Sequence, residues 1–136
     1  MPLGPFPRSI HRNIIIEQVG PEILIYDESR HNAFCLNAMS AAVWTRCDGE
    51  RSVEQIAAEL TNQLAMPVTE ELVIFTLGEL RKDGLLEPEF EVDLAVAISR
   101  REMAWKLGIS AATLLPIVAA IVAPRAAQAY SGCEDC

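Results

Sequence analysis

The sequence predicts an α+β fold, with three short strands leading into three helices and a tail of different composition behind them. Two patterns carry that expectation. Residues 13–36 hold β-branched and aromatic runs separated by turn residues, and residues 38–84 hold capped stretches with apolar side chains at helical spacing. The length of 136 residues suits one domain plus an appendage, and a hydrophobic fraction of 51% is sufficient for a packed core.

Ile14-Ile15-Ile16 opens the first strand, Gly20-Pro21 turns the chain, and Ile23-Leu24-Ile25-Tyr26 forms the second. Asp27-Glu28-Ser29 supplies the next turn before a third strand, Ala33-Phe34-Cys35-Leu36. Asn37 is a good N-cap for a first helix from about Ala38 to Arg46, closed by Asp48-Gly49. Ser52 and Gln55 make a capping box for a second, with Val53, Ile56, Ala57, Leu60 and Leu64 on one stripe and Pro67 blocking continuation. Thr69 caps a third, Glu70 and Glu71 sit in its first turn, and Gly84 ends it. Leu85-Leu86-Glu87 reads as one further short strand.

On that third helix Leu72, Val73, Thr76, Leu77 and Leu80 share a core-facing arc, while Ile74 and Phe75 fall outside it. Those two either pack beneath the strands or line a groove for a partner.

The net charge of −8 disfavours nucleic acid, since a phosphate backbone repels an acidic surface. A winged-helix transcription factor is disfavoured for the same reason, because Thr69–Leu80 holds no Lys or Arg. Catalysis has no visible apparatus. His11 and His31 are the only histidines, and nucleophile-elbow, phosphate-loop and metal-ligand spacings are absent, so the chain reads as a non-enzymatic binding module without a cofactor or metal. Cys35 and Cys47 lie in apolar patterns and read as buried thiols of a reducing compartment. With no conventional signal peptide at its start, the first domain reads as cytoplasmic.

Leu36-Asn37, Ala41-Ala42-Val43-Trp44, Cys47-Asp48-Gly49, the run 52–60 and Leu80-Arg81-Lys82-Asp83-Gly84-Leu85-Leu86-Glu87 occur in the order seen in the PqqD-like family, which the chain resembles over about residues 12–90. The resemblance implies a winged-helix-like peptide-recognition element. Such a domain is expected to hold the leader of a ribosomally made precursor peptide by β-strand addition and to present it to a modifying enzyme, often a radical S-adenosylmethionine protein. It implies Ala33, Phe34, Cys35 and Leu36 as the receiving edge, and Leu72, Phe75 and Glu79, with Ile74, as the opposite wall. For Phe34 and Leu36 the alternation of strand side chains leaves a core position equally open.

The chain divides into an N-terminal arm (1–12), the recognition domain (13–90), a linker (91–98), an apolar helical tail (99–129) and a cysteine-containing peptide (130–136). Arg100, Arg101, Lys106 and Arg125 nearly balance Glu102, Glu134 and Asp135, so the tail is close to neutral, and residues 107–123 carry no charge. Ser99-Arg100-Arg101, the uncharged stretch, and Ala127-Gln128-Ala129 before Tyr130 look like a twin-arginine export signal in an unusual position, with Ala127, Ala129 and Tyr130 marking a processing site. Three readings stand: membrane association through residues 107–123; a fused precursor, in which the chain is its own substrate and its tail is modified and exported; or a helical hairpin broken at Pro116 and packed on the domain. Cys133 and Cys136 make a single C-x-x-C, a poor zinc site without a second ligand pair.

Overall fold

The structure, a computed structural model, describes residues 6–87, 99–107 and 115–122. Three strands come first: β1 (Ile14–Val19), β2 (Glu22–Asp27) and β3 (Asn32–Leu36). The helices α1 (Ala38–Thr45), α2 (Val53–Leu64) and α3 (Glu70–Lys82) follow, then α4 (Arg100–Leu107) and a fourth strand, β4 (Val118–Val122). The expected α+β order of strands followed by helices is the observed one. The tail departs from an all-helical reading, because Val118–Val122 pairs with β3 and completes an antiparallel sheet in the order β1-β2-β3-β4.

Local chemistry explains each helix start. The Asn37 side chain accepts from the Ser40 N–H, Ser52 and Gln55 form the reciprocal capping box, and the Thr69 hydroxyl accepts from the Leu72 N–H. Acidic Glu70 and Glu71 at the start of α3 and basic Arg81 and Lys82 at its end both complement the helix dipole. Gly84 follows α3 at φ +69°, a left-handed turn where a Cβ would also sit 2.7 Å from the Arg30 guanidinium.

The core lies between the sheet and the helices. Ile23 and Ile25 of β2 and Phe34 and Leu36 of β3 point into it, alternating with half-buried Leu24, Tyr26, Ala33 and Cys35 on the other face. Val43 and Trp44 of α1, Ile56 and Leu60 of α2, and Leu72, Val73, Thr76, Leu77 and Leu80 of α3 fill the remainder. The polar members are satisfied. The Thr76 hydroxyl donates to the Leu72 carbonyl at 2.7 Å, and Trp44 Nε1 donates to the Leu85 carbonyl at 3.0 Å.

The N-terminal arm joins this body through its backbone. Arg8 bridges to Asp48 and Ser9 to Leu86, the Ile10 N–H donates to the Leu85 carbonyl, and the His11 ring lies 5.4 Å from that of Trp44. Leu85-Leu86-Glu87 thus contributes a single bridge to the arm.

Arg30 ties the β2–β3 turn to the end of α3. Its Nε donates to Asp27 at 2.7 Å, its guanidinium donates to the Asp83 carbonyl at 2.8 Å, and it lies 5.7 Å from the centre of the Phe34 ring. Burial of Asp27 works to raise its pKa, but the bonds from Ser29 and Arg30 outweigh that and hold the carboxyl at about 2. Since the folded-state value is depressed, the stabilisation is present above the ordinary carboxylate range and is lost as pH falls through about 2. Asp27→Asn is expected to lower stability at pH 7 by about 1–3 kcal/mol and to narrow its gap from wild type between pH 4 and pH 2. Urea midpoints of both proteins across that range check this; a constant gap would contradict it.

Candidate functional site

A strand at the edge of a sheet presents a row of unpaired N–H and C=O groups, and the edge of β3 is the one that faces the tail. β4 covers it in antiparallel register, with Leu36 opposite Val118, Phe34 opposite Ala120 and Asn32 opposite Val122. The Asn37 N–H donates to the Ile117 carbonyl at 3.1 Å, which makes that pair a hydrogen-bonded one. By the alternation of an antiparallel ladder, Cys35 with Ala119 and Ala33 with Ile121 are then the other hydrogen-bonded pairs.

Asn37 grips the incoming segment from both ends of its amide. Its Oδ1 accepts from the Ile117 N–H at 3.0 Å while also capping α1, and its Nδ2 donates to the Leu115 carbonyl at 2.8 Å. The buried Ser40 hydroxyl donates to the Ile117 carbonyl at 3.0 Å. Every one of these bonds goes to backbone, so the grip reads chain direction and register without demanding particular side chains.

A second anchor lies on α4. Met103 is fully buried in the core cluster, against whose edge Leu115 and Val118 also pack. The Arg100 guanidinium donates to the carbonyl of the buried Pro116, and Lys106 Nζ pairs with Glu71 of α3 at 2.6 Å. That exposed ion pair contributes at most about 1 kcal/mol, so the buried methionine is the stronger holdfast.

The residues expected at a peptide site fall into four groups. Ala33 and Cys35 are half-buried on the outer face of β3, with their backbone turned to β4. Phe34, Leu36 and Leu72 have side chains sealed in the core, which is the alternative that strand alternation had left open for the first two. Ile74 and Phe75 are half-buried and pack at the rim of the cluster. Glu79 pairs with Lys82 at 2.9 Å, while Glu71, in the first turn of α3, is the acid that meets the tail. Asn37 had been read in the sequence as a helix cap and as part of the Leu36-Asn37 motif, and Ser40 had not been singled out. Ala127, Ala129, Tyr130, Cys133 and Cys136 lie outside the described residues. Among those described, no helix is long and apolar enough to cross a membrane.

Neither thiol of the domain is placed as a nucleophile. Burial, with the Asp48 charge adding to it, pushes Cys47 up to about 12, and its Sγ lies 3.2 Å from the Val43 carbonyl, to which the thiol donates. Cys35 sits on the half-buried sheet face.

Asn37→Ala is expected to cost about 2 kcal/mol, since it removes a helix cap and orphans backbone groups of Leu115 and Ile117 together. Asn37→Asp keeps the acceptor for both N–H groups but turns a carboxylate oxygen toward the Leu115 carbonyl, so it should remain destabilising while costing less than Asn37→Ala. Chemical denaturation of the three proteins checks the order; equal costs for both variants would contradict the two-ended grip.

Comparison with known proteins bears on the same segment. Residues 22–86, from the start of β2 to the Leu86 bridge, match the family model described as Coenzyme PQQ synthesis protein D (PqqD). No curated protein and no solved structure gives a significant match. The match spans 65 of the chain's 136 residues and supports a PqqD-like family for the segment from β2 to Leu86.

Proposed function

We propose that this protein is a non-catalytic peptide-holding module that keeps an extended segment on the β3 edge and presents it to a peptide-modifying enzyme. PqqD-like proteins serve as precursor-peptide binding partners in a biosynthesis carried out by other enzymes, including a radical S-adenosylmethionine protein, which supports the reading. The observation that carries it is the β3 edge with its Asn37 and Ser40 backbone grip, where an added strand finds a complete set of partners. Ala33 and Cys35 supply main-chain bonds, Ile74 and Phe75 the apolar rim, and Glu71 a negative charge for a basic flank. Phe34, Leu36 and Leu72 support the edge from beneath. Glu79, one helical face further along α3, is retained as an outer contact.

Capture of the tagged full-length chain from cells that produce it is expected to bring down a peptide-modifying enzyme, identified by mass spectrometry. With that enzyme, Phe75→Asp should lower the yield of modified peptide at least about tenfold, a loss of about 1.4 kcal/mol, while cooperative unfolding persists. Capture without such an enzyme, or a yield untouched by Phe75→Asp, would contradict the proposal.

A further inference from the structure

The family-matched unit, residues 22–86, ends before α4 and β4 begin, so what covers its peptide-binding edge is an addition carried on the same polypeptide. We infer that the peptide this edge holds is the chain's own tail, docked through residues 99–107 and 115–122, and that residues 123–136 are the stretch it delivers for modification. The inference rests on the peptide-holding role proposed above and names its client.

Three features of the docked segment match what a recognised leader requires. It is extended where it meets the edge, and it is read through its backbone at Leu115 and Ile117. Its side chains at the edge are small or aliphatic (Val118, Ala119, Ala120, Ile121), so the register is set without a deep pocket. It also has a second, sequence-specific anchor in Met103, 1% exposed, and Lys106, which brings positive charge to Glu71 of an acidic domain. The residues that follow β4 then include Tyr130, Ser131, Cys133, Glu134, Asp135 and Cys136, a concentration of phenol, hydroxyl, thiol and carboxyl groups. Because segment and groove are joined through residues 88–98, docking is intramolecular, with an effective concentration on the order of millimolar.

The test uses the full chain and a labelled synthetic peptide of residues 99–124. Ala119→Pro removes a ladder N–H at a hydrogen-bonded position, whereas Ala120→Pro falls where the N–H points away from β3 and serves as its control. The peptide should bind Ala119→Pro at least about 100-fold more tightly than wild type or Ala120→Pro, because only there is the groove vacated. Met103→Asp undocks α4 and gives an independent second variant with the same expectation. Equal binding to wild type and undocked chains would overturn occupancy by the tail while leaving the peptide-holding role intact. Binding to none of them, with all folded, would overturn that role as well. Intact mass of the chain from its own cells is the second readout: wild type should carry a modification or cleavage mapped to residues 123–136, reduced at least tenfold in Ala119→Pro. A wild-type chain with only its encoded mass would overturn the assignment of the tail as client.

Discussion

A sheet edge whose backbone groups lack partners is an unstable arrangement, and the pairing of the β3 edge is the constraint on which the rest of this molecule depends. The N–H and C=O groups of Ala33 and Cys35 and the N–H of Asn37 need partners, and the carbonyls of Leu115 and Ile117 need donors. Both needs are met by one juxtaposition. Asn37 lies between the end of β3 at Leu36 and the start of α1 at Ala38, so a single amide side chain serves both cap and incoming segment.

The core makes that edge rigid. Phe34 and Leu36 are buried in the same core cluster as the side chains of α1 and α3, so the backbone of β3 keeps its line and its bonding groups stay in register. Arg30 fixes the opposite end of the strand by joining Asp27, the Asp83 carbonyl and the Phe34 ring. A preordered edge reduces the ordering cost of adding a strand, which is how a small domain can hold an extended segment using mainly backbone bonds. Selectivity then falls to the flanking anchors. Met103 in the core and Lys106 on Glu71 are the side-chain anchors of the segment present here.

Much of the domain was legible in the sequence because its signals are local. Capping residues Asn37, Ser52 and Thr69, the αL glycine at 84 and the apolar arc of α3 each specify structure within a few residues. The β3 edge and α3 were named as a site only through the resemblance that the motifs around them carry. β4 was not, since Val118–Val122 lies in an uncharged, alanine-containing stretch whose pattern suits helix or membrane as well as strand, and its partner is some 80 residues away, a separation that Ile117 N–H to Asn37 shows directly. The double use of Asn37 was hidden for the same reason: a helix cap is a local pattern, and a grip on a distant backbone is not.

The most direct test of this account is a through-hydrogen-bond scalar coupling measured by NMR on the isotopically labelled full chain, between the Ala119 amide and the Cys35 carbonyl. The account predicts that coupling, with its reciprocal from Cys35 to Ala119, at a strength comparable to those across β2 and β3. Couplings across β2 and β3 without any to Ala119 would contradict it, because the edge of β3 would then be unpaired by the chain's own strand.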